Sequence, residues 1–431
     1  MRPRTPGSDR FAERVNQAVI RLDNSEPLSL VEAGTTGGSI YSDRRRHPSA
    51  TVSYMRGMMS EFGITRLARV TGLDHVGVPV WSAIRPNAKT LAQSQGKGID
   101  DPSAQASALM EAVEIATAER ADLPARRATR RQLTSEGVVV DSIDVLLRKG
   151  GRRIADDEAV AWLSGSDLLS GQSVLVPYEA VTFSDASSPT RYWQTSDGLA
   201  SGNTIWEAML HGLCERIERD AMALWLLRDD DDVAARCVDP ASFDDGELNR
   251  LCATIAKADL QLRLFDATCD TDTPVFGAFL SPPADDREET WRHFDLSSGW
   301  GCHPVAIRAA LRAVTEAAQT RLTTISAARD DFDPRRYREV LDPSLLVYPR
   351  ASPKRHSRFG GMASFDRSEF LLQLLDRLKA AGIDSVIVVP LERGDRGFAV
   401  CRVLVPGLEN PSGDRERQFG PRAFAFAEAN L

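Results

Sequence analysis

The chain has 431 residues, of which 42% are hydrophobic and 26% charged, a balance that supplies a large apolar core and excludes disordered and fibrous classes. A formal net charge of −8, with acids and bases interspersed, argues against nucleic acid as the main partner, and no apolar run is long enough to span a membrane. The polar, basic start has no apolar signal core and the six cysteines form no C-x-x-C pair, so a cytoplasmic protein without a zinc site or disulfide framework is expected.

Residues 1–40 are polar and poorly periodic, which reads as a flexible N-terminal arm ahead of a domain over residues 41–431. The runs Arg44-Arg45-Arg46 and Arg126-Arg127-Ala128-Thr129-Arg130-Arg131 fit solvated charge or contacts with phosphate or a partner. A helix is predicted near 51–62 and a strand near 76–84, followed by the turn Arg85-Pro86-Asn87. Gln95-Gly96-Lys97-Gly98 fits either a plain turn or a loop whose N–H groups, with Lys97, approach a phosphate. Asp101-Pro102 then starts a helix predicted to reach about Ala121.

Strands are predicted at 138–145 and 174–181. The small-residue loop Thr195 to Asn203 delivers a second helix, with the capping-box spacing of Thr204 and Glu207. Runs at 260–265 and 275–280 read as an antiparallel pair, and Gly299 to Pro304 leads into a third helix, with His303 as a loop or capping residue. A helix at 365–381 and strands at 385–391 and 398–405 complete a mixed α/β (α+β) order of recurrent strand–loop–helix units.

One pattern stands out of this order. A polar residue followed by others four and seven positions on recurs in three apolar helices, as Ser107, Glu111, Glu114, then His211, Glu215, Glu218, then Arg312, Glu316, Gln319. Such residues share one helix face, while the flanking Ala106, Ala108, Leu109, Met110, Ala112, Val113, Ile115 and Ala116 mark the first helix as buried. Buried carboxylates need a cation, and clustered acids on facing helices suit a magnesium ion that also holds nucleotide phosphates. Single glutamates of this kind are ordinarily solvated; the threefold recurrence argues against that here.

Seven ordered anchors together resemble the YcaO family, enzymes that use ATP to activate a peptide backbone amide. They are Arg85-Pro86-Asn87, Gly96-Lys97-Gly98, Ser107-x3-Glu111-x2-Glu114, Asp197 to Asn203, Glu207-x3-His211-x3-Glu215-x2-Glu218-Arg219, Arg312-x3-Glu316-x2-Gln319-x-Arg321, and Val405-Pro406-Gly407-Leu408-Glu409. The resemblance runs from about Arg45 to Gly407 and implies a YcaO-type fold with repeated helix-on-sheet units around a nucleotide site. It implies ATP and Mg2+ as cofactors, with Ser107, Glu111, Glu114, Glu207, His211, Glu215, Glu218, Arg219, Arg321 and Lys97 contacting nucleotide, and Glu111, Glu114, Glu207, Glu215 and Glu218 holding metal. In that reaction a nucleophile attacks the amide carbonyl, the oxyanion takes the γ-phosphate, and phosphate leaves with the former amide oxygen.

The sequence departs from the family pattern at Asp197, Ala200 and His211, where Asn, Ser and Gln are common. Azoline-forming members often carry a proline-rich PxPxP tail, whereas this chain runs Gly420 to Leu431 through Ala and Phe. The resemblance therefore points to thioamide formation on a ribosomally made peptide or protein beside a TfuA-type or peptide-docking partner. An azoline-forming cyclodehydratase and a non-catalytic ATP-binding scaffold or accessory subunit are the alternatives, and a homodimer is left open.

Overall fold

Three short strands of small residues each turn directly into a long helix, and these helices carry the three stripes. Gln93–Lys97 leads into Asp101–Ala118, Leu199–Gly202 into Ile205–Trp225, and Ser297–Cys302 into Ala306–Ser326. These observations come from a computed structural model that describes residues 6–22, 41–120, 122–184, 190–283, 290–327, 333–356, 367–410 and 419–429.

The three units share one register. Counted from the N-caps Asp100, Thr204 and Val305, the stripes fall on the seventh, eleventh and fourteenth residues. Ser107, His211 and Arg312 are thus equivalent, as are Glu111, Glu215 and Glu316, and Glu114, Glu218 and Gln319.

Close strand–helix packing explains the glycines. A Cβ on Gly96 would sit 2.0 Å from the Ala108 nitrogen, and one on Gly301 2.2 Å from the Ala309 oxygen. The second unit has Ala200 at the matching strand position and compensates on its helix. There Gly212 replaces the alanines of the other two units, and a Cβ on it would lie 3.2 Å from the Ala200 Cβ and 2.8 Å from Val403.

The opposite face of each strand packs on the helix of another unit, which closes the three into a ring. Gln319 Nε2 donates to the Gln95 carbonyl at 2.5 Å, joining the third helix to the first strand. Ser201 on the second strand reaches Glu114 on the first helix. Trp300 on the third strand meets Trp225 of the second helix edge-on, with centroids 5.9 Å apart.

Each strand belongs to its own sheet. The first closes an antiparallel three-stranded sheet with Val80–Ile84 and Arg66–Arg69. The second lies at the edge of a six-stranded sheet ordered Arg126–Ala128, Val160–Asp167, Ile387–Arg393, Ala399–Leu404, Leu199–Gly202, with Ser173–Pro177 also paired to Val160–Asp167. The third edges a four-stranded sheet through Val275–Ser281, Gln261–Asp266 and Cys237–Val238, in which the first two form the expected antiparallel pair. The mixed α/β class holds.

Several local expectations are corrected. Pro6–Leu22 is a helix rather than part of a loose arm: Phe11, Val15, Ala18, Val19 and Leu22 form a buried stripe in the core beside Met209 and Leu213. Residues 23–40 lie outside the described residues. The segment 138–145 makes only the bridge Val140 to Leu175 and a 3-10 turn Asp144–Leu146, since Asp141 folds back to cap the Ile143 N–H. The strand predicted at 174–181 stops at Pro177, where Tyr178–Val181 turns helical. Gly96-Lys97 and Gly299 to Cys302 are ladder residues and not loops. Glycine there serves close packing, which overrides its usual turn meaning.

Candidate functional site

On the three helices, Ser107, Glu111, Glu114, His211, Glu215, Arg312, Glu316 and Gln319 remain half-buried while most of their neighbours are buried. Glu218 is buried. The polar stripes thus face the one direction that the core leaves open, the interior of the ring.

The acids are unevenly neutralised. Burial pushes the Glu114 carboxyl up to about 8, with the charges of Glu111 and Glu215 adding to it and the Ser201 hydroxyl, donating at 2.6 Å, working against it. Burial also raises Glu215 and Glu218 to about 7 each, despite the Arg219 guanidinium beside both. Arg219 donates to Glu218 Oε1 at 2.9 Å and to Asp197 Oδ1 at 3.2 Å. For Glu316 burial acts upward too, but Lys97 and Arg219 outweigh it and hold the carboxyl below its usual range. Lys97 Nζ lies 2.5 Å from Glu316 Oε2.

Glu207 sits at the mouth of the second helix. Thr204 accepts its backbone N–H at 3.3 Å, as a capping box requires, but its carboxylate does not return to the cap. It accepts instead from the Asn203 backbone and side chain, each at 2.9 Å, and from the Arg45 backbone N–H, with the Arg44 guanidinium at 3.4 Å. Arg44, read from sequence as solvated or contacting charge, belongs to the site.

His211 is neutral. Burial and then the nearby Arg312, Arg44 and Lys97 charges hold it well below its ordinary value. Arg312 Nη1 donates to its Nδ1 at 3.3 Å, so the ring proton resides on Nε2. His303 accepts the Val305 N–H at 2.9 Å on Nδ1 and donates from Nε2 to Asp43 at 3.3 Å; Val305 is the N-cap, so of the two roles expected His303 is the loop residue. Burial lowers it to about 4.

The ring brings together Ser107, Glu111, Glu114, Glu207, His211, Glu215, Glu218, Arg219 and Lys97. Arg321 is engaged elsewhere, its Nε 3.2 Å from Asp74. Sequence reasoning gave no site role to Ser201, Asn203 or Glu316, and left Arg44 between solvated charge and a phosphate or partner contact. Register would have exposed Ser201, because Lys97 and Ser201 each stand three residues before an N-cap and meet a stripe acid of another unit, Glu316 and Glu114.

Among the described residues no three His, Cys, Asp or Glu side chains converge tightly enough to cage a metal. Magnesium needs no such cage, since it usually keeps waters and takes one or two carboxylates plus substrate phosphates. Three carboxyls whose protons are retained near neutrality form a donor set that fits it. The residues that would hold it are Glu111, Glu114, Glu215 and Glu218, with Glu207 adjoining.

Comparisons with known proteins identify the family. The family model described as YcaO cyclodehydratase, ATP- and Mg2+-binding, matches residues 95–409. A protein encoded in the tfuA 3′ region of Rhizobium leguminosarum bv. trifolii is 40% identical over 407 residues, covering 91% of this chain and 95% of its own. An uncharacterised protein of Methanothermobacter thermautotrophicus is 33% identical over 86% of this chain and 96% of its own. Among solved structures, YcaO from Methanopyrus kandleri bound with AMPPCP and Mg2+ superposes with a TM-score of 0.65 at 21% identity, over 89% of this chain and 97% of that one. A heterocyclase in complex with substrate and cofactor gives 0.68 at 24% identity over 86% of this chain, which spans only 53% of the heterocyclase. No described helix is long and apolar enough to cross a membrane. The chain belongs to the YcaO family, whose members are ATP-dependent, Mg2+-binding enzymes of the cyclodehydratase type.

Proposed function

We propose that this protein uses Mg-ATP to replace a backbone amide oxygen by sulfur in a ribosomally made peptide or protein, assisted by a TfuA-type partner. The observation that carries the reading is the ring of buried and half-buried acids, with Lys97 and Arg219 among them, which suits a cation-bridged triphosphate. Sulfide adds to the amide carbonyl, the resulting oxyanion takes the γ-phosphoryl group, and loss of phosphate leaves the thioamide with ADP. Sulfide supplies the sulfur, phosphate carries off the oxygen, and no oxidant is needed.

The chain's own groups bind and orient. Glu111, Glu114, Glu215 and Glu218 would hold Mg2+, which would neutralise phosphate charge, and Lys97 and Arg219 would offer cations to the same phosphates. Ser107 and the Nε2–H of His211 supply uncharged donors, and such positioning with charge neutralisation is the protein's main contribution to phosphoryl transfer.

Two observations support sulfide over a substrate side chain as nucleophile. The relative in the tfuA region matches nearly end to end. The helix Pro421–Ala429 is also pinned to the second striped helix: Arg422 Nε donates to Asp220 at 2.9 Å, and Glu409 accepts the Gly420 and Ala423 N–H groups at 2.8 and 3.0 Å. A segment held in this way lacks the extended, preorganised form of a proline-rich tail. The heterocyclase fold match favours a second reading, in which a Cys, Ser or Thr side chain attacks to form an azoline.

Incubating protein, Mg-ATP, sulfide and a peptide encoded nearby, with and without the partner, separates the two. A partner-dependent gain of about 16 Da, the mass by which sulfur exceeds oxygen, is expected with ADP release as a phosphoryl transfer requires. Loss of water from Cys, Ser or Thr without sulfide or partner would overturn the thioamide reading.

A further inference from the structure

The ring contains three equivalent acids at the eleventh helix position, yet they are not chemically alike. Glu111 and Glu215 belong to the stripes whose carboxyls crowd one another. Glu316 instead has a cation from the neighbouring unit against it: Lys97 Nζ is 2.5 Å from Oε2, while Oε1 accepts the Trp300 N–H at 3.4 Å. Lys97 comes from the last position of the first strand, and its side chain is 27% exposed, so it reaches the ring interior without being sealed off.

We propose that Glu316 is a positioning residue: it pins the Lys97 ammonium inside the ring, beside Glu218, as a pre-set cation for the nucleotide phosphates. The proposal rests on the reading of the site as a Mg-nucleotide site. An unpinned lysine on a strand end loses rotamer freedom when it meets a phosphate; Glu316 imposes that loss in advance, and two ammonium N–H donors remain for the ligand. The same carboxylate lies near Arg219, which Asp197, Glu215 and Glu218 hold from the other side. Glu316 of the third unit therefore takes its counter-ion from the first unit, whereas Glu215 and Glu218 share Arg219 within the second.

The pairing also separates two roles that the register alone would merge. If Glu316 matched Glu111 and Glu215 in function, it would be a metal ligand. Oε2 of Glu316 holds the Lys97 ammonium at 2.5 Å, closer than Arg219 comes to Glu218 at 2.9 Å or to Glu215 at 3.5 Å, so Mg2+ meets a nearer competing cation at Glu316 than at either of those acids.

The test is calorimetric titration of the full-length chain with a non-hydrolysable ATP analogue, using Glu316→Gln, Glu316→Asp, Lys97→Met and the double variant Lys97→Met/Glu316→Gln. Each of Glu316→Gln and Lys97→Met should weaken binding about tenfold, the double variant no more than either alone, and Glu316→Asp less than Glu316→Gln. The Mg2+ midpoint at saturating nucleotide should stay unchanged in Glu316→Gln and shift upward in Glu111→Gln. Unaltered nucleotide binding in Lys97→Met, or additive losses in the double variant, would overturn the pairing. A Mg2+ midpoint that moves in Glu316→Gln as it does in Glu111→Gln would make Glu316 a metal ligand. Absence of nucleotide binding by the wild-type chain would overturn the site reading itself.

Discussion

Glu114→Gln should stabilise the metal-free protein, an unusual outcome for a residue at the centre of a site. The folded Glu114 carboxyl titrates at about 8 and the unfolded one at 4.5. A carboxyl raised in this way contributes its stability below pH 4.5 and loses it as pH rises towards 8, because the unfolded chain gives up a proton that the folded chain retains. At about 1.4 kcal/mol per unit, a shift from 4.5 to 8 amounts to about 5 kcal/mol once pH exceeds 8. Solvent reaching the half-buried carboxyl trims this to about 2 kcal/mol. Glutamine has nearly the same shape, can still accept from Ser201 and never ionises. Denaturant unfolding in EDTA should therefore show the variant equal to wild type at pH 4, and more stable by about 2 kcal/mol at pH 9. A variant less stable than wild type at pH 9 would refute the claim that an uncompensated carboxyl is buried there.

Other outcomes follow from the same geometry. Binding of Mg2+ with nucleotide at pH 7 should release on the order of one to two protons, since Glu114, Glu215 and Glu218 lose theirs to the metal. Calorimetry in buffers of different ionisation enthalpy measures this, and no release at pH 7 would contradict the assignment. His211→Gln should keep nucleotide affinity, because an amide can accept from Arg312 and still donate, whereas His211→Ala should lower it about tenfold. Equal affinity in His211→Ala would leave this residue with packing alone. Gly96→Ala should lower stability by about 3 kcal/mol or more, as its Cβ would meet backbone atoms of Ala108 and Ala104 at 2.0 and 2.2 Å. A melting temperature within a degree or two of wild type would refute the close-packing role of that glycine.

The stripes were legible in the sequence because helical spacing is strict and the residues around them are apolar. Four of the strongest positions, Glu111, Glu114, Glu215 and Glu218, needed no more than that. The strands that deliver the helices were not legible, since Gln93–Lys97, Leu199–Gly202 and Ser297–Cys302 are rich in Gly and Ser, which normally mark turns. Tertiary packing decides there: a residue without a Cβ is needed where a helix backbone lies against the strand. Arg44 was left between solvated charge and a phosphate or partner contact for a different reason. Its place beside Glu207 depends on a contact 163 residues away along the chain, and no local pattern encodes that. The N-terminal helix was missed because polar residues dilute an apolar stripe of five, and only its docking on the core shows which face matters.

Anomalous diffraction from crystals grown with Mn2+ and a non-hydrolysable ATP analogue tests the central claim most directly, because manganese replaces magnesium at oxygen sites and can be located without assumption. The account predicts manganese peaks inside the ring, between the Glu111 and Glu114 stripe and the Glu215 and Glu218 stripe, with the triphosphate alongside. Nucleotide bound elsewhere on the surface, or bound in the ring without manganese beside those carboxylates, would contradict it.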